Sequence, residues 1–424
     1  MEIFMINCKL SGHLPLIIFA CGVFYYCFAY ILRVYTGVIY EPLVEELNLT
    51  ASQFGVLTSL YYFSYSPMQV PAGVLVDRIG VRRSLLLACS IATIGSALFA
   101  FASSFSLVAI GRFMVGMGSA FAYVSSLKIA TLWLPRKYIA TAAGVTTASG
   151  MMAAIFTNIY FTRSLEQYGF AWTEAIPFLI GIFLFGLIAL VVVDKAPDSG
   201  VEDDHKSAVS FTELWQYMRQ IMLNRQILLI GLVGAFLYIP SSVFLDSWAL
   251  PYLMHVKGLT LKDATNAGSI MLSGWILSSL LTGMLSDYMG NRVKPLIWAS
   301  VISLVLSCVL LYGPVLPNSM LFLVMFLFGM GCGPHPLCFI LAKENFPTQV
   351  AGTAISFANC LIMLGGFVFQ PLLGYVLDFL QTEPVKGLAY STEVYQKAML
   401  IMPVTLLISI FLVWMIKDTY KRKE

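Results

Sequence analysis

The sequence contains little charge. Only 11% of its 424 residues are Asp, Glu, Lys or Arg, 59% are hydrophobic, and the mean hydropathy is +0.83. A soluble domain has roughly 25% charged residues, so this composition excludes an ordinary soluble protein. No run of basic residues is present either, which argues against a nucleic-acid partner. The sequence therefore predicts an integral membrane protein embedded in a lipid bilayer.

Several signatures of cofactor chemistry are missing. The eight cysteines fall mostly in apolar runs, with no CxxC and no His/Cys spacing suited to a metal, so we expect packed thiols. No glycine-rich phosphate loop is present, which argues against ATP hydrolysis. Of the four histidines only His335 lies in a long apolar run, so no paired nucleophile and base is expected there. We therefore expect no cofactor, no metal and no enzymatic activity.

Twelve apolar segments are each long enough to cross a membrane, which takes about 20 residues for a hydrocarbon core of roughly 30 Å. Together they predict an all-α membrane protein with twelve transmembrane helices. No small-residue cleavage site precedes the first segment, so we expect it to be retained. The segments, called span 1 to span 12, cover residues 16–40, 54–76, 84–103, 106–132, 138–160, 174–194, 226–252, 265–286, 295–313, 318–342, 350–377 and 398–416.

The orientation follows from the Lys and Arg residues of alternate loops, because cytoplasmic loops carry the excess of positive charge. If both termini are cytoplasmic, 17 of these residues lie inside and five lie outside. We therefore expect both termini in the cytoplasm. The remaining three basic residues, Arg33, Arg112 and Lys128, lie within spans.

One motif occurs twice. The string "GVLVDRIGVRR", from Gly73 to Arg83, returns as "GMLSDYMGNRVK" from Gly283 to Lys294, at an offset of 210 residues. The longest polar stretch separates span 6 from span 7. These features predict two six-helix repeats, residues 1–194 and 226–424, joined by a cytoplasmic linker at 195–225. A binding site between such repeats, near the bilayer midplane, is a known transporter design.

On these residues the chain resembles the major facilitator superfamily. The first string is similar to the family's signature loop between helices 2 and 3, and "RFMVGMG", from Arg112 to Gly118, resembles its helix 4 signature. The resemblance implies two pseudo-symmetric bundles, alternating access and a monomer. It also implies a cytoplasmic conformational latch formed by Gly73, Asp77, Arg78, Gly80, Arg82, Arg83, Gly283 and Asp287.

The direction of transport is less clearly marked. The family's antiporter signature contains a proline in span 5, whereas this chain has "GVTTASGMM", with Gly144 and Gly150 but no proline. The tract "KIATLWLPRKYIATAAG" loosely resembles bacterial nutrient-uptake members, including the phagosomal amino-acid transporters of intracellular bacteria. Both features favour uptake, and the second implies a bacterial inner membrane.

Four charged residues lie well inside spans, away from the span ends: Arg33, Arg112, Lys128 and Asp246. A charge at the bilayer centre costs at least about 2.5–3.5 kcal/mol, so such residues are functional candidates. The resemblance implies that spans 1, 4, 7 and 10, which carry all four, line the central cavity. Asp246 is the only acid predicted well inside a span and is our candidate for proton coupling. The alternative is a permanent Arg33–Asp246 ion pair that bridges the two halves.

Aromatic and kinked positions complete the candidate site. Tyr26 and Arg33 lie seven residues apart on one helix face with Tyr30 beside them, and a planar guanidinium suits a carboxylate. Arg112 and Lys128 point about 160° apart on a straight helix, so only a bend lets both face one cavity. Lys128 could instead snorkel to the membrane surface. The run "FGMGCGPHPL" around His335 predicts a break in span 10.

The sequence therefore predicts a secondary active transporter, a proton-coupled symporter of a small carboxylate-bearing metabolite such as an amino acid, short peptide or organic acid. The alternative is proton-driven efflux of a drug or siderophore. The expected substrate-binding residues are Arg33, Tyr26, Tyr30, Arg112, Lys128, Trp248 and His335.

Overall fold

The chain folds into two bundles of six membrane helices, as predicted. A computed structural model describes residues 14–135, 138–194, 219–346, 350–381 and 388–420, and within these ranges it contains helices and no β-strand. Most of the predicted linker, residues 195–218, lies outside the described part of the chain. The domain boundaries therefore stay a prediction.

The helices overlap the predicted spans, with ends that differ from the predicted ends by up to eight residues. Eleven are long and apolar enough to cross a membrane. Span 2 is more polar but has 29 residues, or about 43 Å, which is also sufficient. The spans are Leu14–Val38, Ala51–Ile79, Val81–Phe101, Phe105–Trp133, Ile139–Tyr168, Phe170–Val191, Arg225–His255, Leu261–Met289, Val293–Tyr312, Asn318–Glu344, Ala351–Leu380 and Thr392–Val413, and a short helix, Tyr40–Glu46, follows span 1.

Four spans are interrupted. Span 4 consists of Phe105–Ser119 and Ala122–Trp133, and span 12 of Thr392–Ala398 and Ile401–Val413. Span 10 stops at Cys332 and resumes at Leu337, as the two prolines between them predict. Span 7 contains a π-helical segment, Pro240–Trp248, between two α-helical parts. The sequence analysis did not anticipate this segment.

Small residues allow the helices to pack closely. A Cβ at Gly274 in span 8 would meet the backbone oxygen of Phe326, and one at Gly329 in span 10 would meet that of Met271. Without water, transmembrane helices associate largely through such close packing. Large apolar side chains such as Phe183 and Leu190 are exposed on the outside, where lipid would surround them.

Spans 2 and 11 form the longest contact between the two bundles. The Asp378 carboxylate of span 11 accepts hydrogen bonds from the Ser52 N–H at 2.8 Å and the Ser52 hydroxyl at 2.5 Å, at the start of span 2. Further along the membrane, the Asn359 amide donates to Gln69 at 2.6 Å. We call the end of the molecule that contains Asp378 the Asp378 end.

The opposite end, which contains both copies of the repeated motif, is the latch end, and here the bundles separate. A Cβ placed on Gly73, Gly144, Gly283 or Gly352 would have no atom within 4 Å. These glycines lie in spans 2, 5, 8 and 11, two in each bundle. Toward the Asp378 end of spans 2 and 11, a Cβ on Gly55 or Gly374 would instead meet a backbone oxygen of the other bundle, that of Gln370 or Ala51. The molecule is therefore joined at the Asp378 end and open at the latch end.

The two copies of the motif are capped in the same way, each by its own acid. The Arg82 N–H at the start of span 3 donates to the Asp194 carboxylate at 2.7 Å, and the Arg292 N–H at the start of span 9 donates to Asp418 at 3.0 Å. Arg82 and Arg292 are 210 residues apart, the offset of the motif itself. An acid that follows span 6 or span 12 thus stabilises the positive end of the third helix in each half.

The first prediction concerns packing. Gly329→Ala should lower the melting temperature of the purified protein by several degrees, because the new methyl group collides with the Met271 backbone. Gly186→Ala in span 6 is the matched control, because nothing lies within 4 Å of its Cβ position. There the better helix propensity of alanine should leave stability unchanged or slightly raised. Equal effects of the two substitutions would contradict the packing role of Gly329.

The second prediction concerns the Asp378 end. Asp378→Asn should weaken its hydrogen bonds to span 2, because a charged acceptor binds roughly twice as strongly as a neutral one. Spin labels at Gln53 and Phe379, both exposed, should then report a larger population of long distances. Glu166→Gln, an exposed acid of span 5, is the control. An unchanged distance distribution in Asp378→Asn would show that the hydrogen bonds between Asp378 and Ser52 do not hold the bundles together.

Candidate substrate-binding site

The centre of the molecule contains an ion pair between the two bundles. Arg33 Nε of span 1 donates to Asp246 Oδ2 of span 7 at 2.8 Å. The residues are only 8% and 5% exposed, respectively. The two halves are also packed tightly here, because a Cβ on Gly37 would meet the backbone oxygen of Asp246. The alternative considered from sequence, a bridge between Arg33 and Asp246, is therefore present in this conformation.

Tyrosines surround the pair. Arg33 Nη2 donates to the Tyr238 hydroxyl, and the Tyr62 hydroxyl donates to the same Asp246 oxygen that Arg33 binds. The guanidinium carbon lies 5.6 Å from the ring centre of Tyr30 and 5.3 Å from those of Tyr62 and Tyr238. Aromatic faces stabilise a cation that has left water. Arg33 Nη1 has no hydrogen-bond partner among the described residues.

The π-helical segment presents Asp246 to span 1. All nine of its residues are buried, and it begins at Pro240, which has no N–H to donate. The Gln370 amide of span 11 donates to the Ser242 backbone oxygen at 2.5 Å, so an irregular part of the backbone is held by a side chain. π-Helical turns are rare and frequently mark functional sites.

Arg112 joins span 4 to span 1 and does not bind a carboxylate in the described part of the chain. Its Nη1 and Nη2 donate to the backbone oxygens of Leu32 and Arg33, at 2.5 and 3.1 Å. Its guanidinium also lies 5.0 Å from the ring centre of Tyr61. The centre therefore contains two buried cations, Arg33 and Arg112, and one paired anion.

The other predicted binding residues lie at different distances from the pair. Tyr26 packs edge-on against Tyr30, whose ring faces Arg33. Trp248 is fully buried against Phe54 at the end of the π-helical segment. His335 stacks on Tyr238 at 5.0 Å, which links it to Arg33 through one ring. Lys128, in the second part of the broken span 4, is paired instead with the latch residue Asp77 at 2.8 Å.

Sequence reasoning missed two residues of this site. Tyr62 and Tyr238 were not singled out, although Tyr238 precedes Asp246 by eight residues, about two helical turns. Elsewhere, span 6 begins at Phe170, four residues earlier than predicted, so Glu174, the first residue of the predicted span, lies inside the helix and is buried. Asp246 is therefore not the only acid buried within a span.

Comparison with known proteins identifies the family. A family model described as Major Facilitator Superfamily matches residues 19–370. The chain belongs to the major facilitator superfamily. Its relatives and structural neighbours are transporters, so this member is a secondary transporter and not an enzyme.

The curated relatives are similar at low identity over most of the chain. The probable galactarate/D-glucarate transporter GarP of Escherichia coli (strain K12) is 24% identical over 371 residues, 80% of this chain and 82% of that protein. The gentisate transporter of Corynebacterium glutamicum is 26% identical and covers 80% and 76%. The probable sulfoacetate transporter SauU of Cupriavidus necator is 25% identical and covers 63% and 64%.

Solved structures confirm the fold. A bacterial homologue of the human lysosomal transporter Spinster, in an inward-facing and unoccupied conformation, superposes with a TM-score of 0.76 at 16% identity, over 96% of this chain and 97% of that one. A D-xylose–proton symporter gives 0.71 at 14% identity, over 96% and 99%.

The third prediction concerns the central pair. Asp246→Ala and Arg33→Ala should each lower stability by about 3–5 kcal/mol, because each leaves a buried charge unpaired. The double variant should lose much less than the sum. The same cycle on the exposed Glu393–Lys397 pair should give a far smaller coupling, because solvent screens both charges. Additive losses at the central pair, measured by denaturant titration in detergent, would show that the two charges do not depend on each other.

Proposed function

We propose that this transporter takes up small organic anions together with a proton, and that Arg33 and Asp246 couple the two. The observation that supports this proposal is the buried Arg33–Asp246 pair between the bundles. Arg33 belongs to one bundle and Asp246 to the other, so whatever changes their attraction also changes how the bundles are held together.

Proton binding and substrate binding are coupled because two carboxylates compete for the guanidinium of Arg33. Asp246 and a substrate carboxylate both require Arg33 as their counter-charge. When Asp246 takes up a proton it becomes neutral, and Arg33 is left as a buried cation with no partner, a costly arrangement. The carboxylate of the substrate then restores the pair. Proton binding and anion binding therefore strengthen each other by the same factor.

Among the predicted substrates we propose an organic acid. In this conformation Asp246 is already occupied by Arg33, so no free carboxylate is left for the amine of an amino acid. The additional buried cation, Arg112, favours a negatively charged ligand. The names of the relatives, which mention galactarate, D-glucarate, sulfoacetate and gentisate, support the same class.

We further propose that the open latch end faces the cytoplasm, as the count of 17 inside against five outside basic residues indicates. Residues 1–194 and 226–424 would then rock about the central pair, with 195–225 as the cytoplasmic linker. The latch set would act during closure. In the open conformation Asp77 already binds Lys128, and Asp287 binds Arg292 at 2.6 Å, so each copy of the motif is anchored within its own bundle.

The fourth prediction tests this coupling. In proteoliposomes with an inward proton gradient, wild type should accumulate at least one of D-glucarate, sulfoacetate and gentisate, and an uncoupler should abolish the accumulation. Asp246→Asn imitates the protonated acid, so it should still exchange labelled for unlabelled anion across the membrane but should not accumulate it. Arg33→Ala should lose both activities, because the carboxylate has lost its partner.

Asp263→Asn serves as the control, because Asp263 lies at the start of span 8 and does not contact Arg33, Asp246 or the tyrosines around them. It should behave as wild type. Accumulation that follows a sodium gradient would refute proton coupling. Expulsion of bulky apolar cations without anion uptake would instead support the efflux alternative.

A further inference from the structure

A group of aromatic rings from the C-terminal bundle lies next to Arg33. Tyr238, which binds Arg33, stacks on His335 with ring centres 5.0 Å apart and meets Trp275 edge-on at 5.7 Å. Trp275 and His335 also meet edge-on at 5.0 Å, and Phe339 lies 5.8 Å from His335. We call Tyr238, Trp275, His335 and Phe339 the aromatic cluster. It unites spans 7, 8 and 10 beside the guanidinium.

Two polar atoms of this cluster are buried without a partner. Trp275 Nε1 and His335 Nδ1 have no hydrogen bond within the described part of the chain, although the residues are only 2% and 6% exposed. A buried polar atom without a hydrogen-bond partner destabilises the fold. Two of them in one ring contact, next to the central ion pair, indicate that a ligand completes the arrangement.

The chemistry of the two atoms restricts that ligand. An indole N–H only donates a hydrogen bond, whereas His335 Nδ1 can donate or accept depending on its tautomer. A group that satisfies Trp275 must therefore be an acceptor, and an oxygen suits both rings. An ammonium group has no acceptor and an alkyl group has no polar atom, so neither satisfies Trp275.

We propose that Trp275 and His335 form a second subsite, which binds an oxygen-bearing group at the far end of the substrate while Arg33 binds its carboxylate. The preferred substrates are then acids with a second carboxylate, a sulfonate or a hydroxyl group. This rests on the proposed function, in which Arg33 holds the first carboxylate. The guanidinium carbon of Arg33 lies 5.3 Å from the centre of the Tyr238 ring, which lies 5.0 Å from the centre of the His335 ring. A compound of a few carbons is long enough to reach from Arg33 to this subsite.

Binding of matched acid pairs to the protein in lipid nanodiscs tests the subsite by calorimetry. The pairs are sulfoacetate with propionate, gentisate with salicylate, and adipate with hexanoate, so that each pair differs only in the far group. Wild type should bind the first member of at least one pair more tightly. Trp275→Phe keeps the ring but removes the N–H, so this preference should fall about tenfold. The affinity for the plain acid should not change.

Trp133→Phe is the matched control. Trp133 is another buried tryptophan whose Nε1 has no hydrogen-bond partner among the described residues, but it lies near the end of span 4, outside the aromatic cluster. It should keep the wild-type preference. His335→Phe is a second variant with the same expected loss, and it keeps the test decisive if Trp275→Phe does not fold.

The outcomes separate the subsite from the proposed function. If Arg33→Ala abolishes binding but Trp275→Phe weakens both members of a pair equally, or neither, the subsite is overturned and the anion site stands. If no acid of the panel binds to wild type, or if Arg33→Ala binds normally, the proposed function fails and the subsite fails with it.

Discussion

The central constraint on this molecule is that a guanidinium and a carboxylate lie in the membrane and depend on each other. Arg33 without Asp246 would be a cation in a medium that cannot solvate it, and Asp246 without Arg33 would have the opposite problem. The tyrosine rings and hydroxyls around the pair reduce this cost but do not remove it. Because Arg33 and Asp246 belong to different bundles, a change in the charge of either residue alters how strongly the two bundles are held together.

The remaining structure keeps this pair in place while allowing movement. The irregular backbone of Pro240–Trp248 directs Asp246 toward span 1, and Gln370 satisfies one of its carbonyl oxygens. At the Asp378 end, burial and the hydrogen bond to Asp378 raise the pKa of Tyr390, so its hydroxyl remains a donor at neutral pH. Short polar contacts thus help to hold the two bundles together at the Asp378 end.

Much of this could be predicted because a membrane makes charge conspicuous. Arg33, Arg112 and Asp246 were found from the cost of burying them, and the repeat was found from a duplicated string. The ring partners Tyr62, Tyr238 and Trp275 were missed because aromatics make up 14% of the chain and their spacing does not distinguish packing from binding. The π-helical register and the pairing of Lys128 with Asp77 depend on tertiary contacts that helix periodicity does not contain.

The four glycines of the latch end have a thermodynamic consequence. A glycine inside a helix costs about 1 kcal/mol relative to alanine, and close packing is the usual compensation. In the open shape Gly73, Gly144, Gly283 and Gly352 have no neighbour to compensate them. A sequence adapted to this shape alone would gain helix stability from alanine at all four sites. The open form is therefore less stable than the same backbone would be with alanine at these four sites.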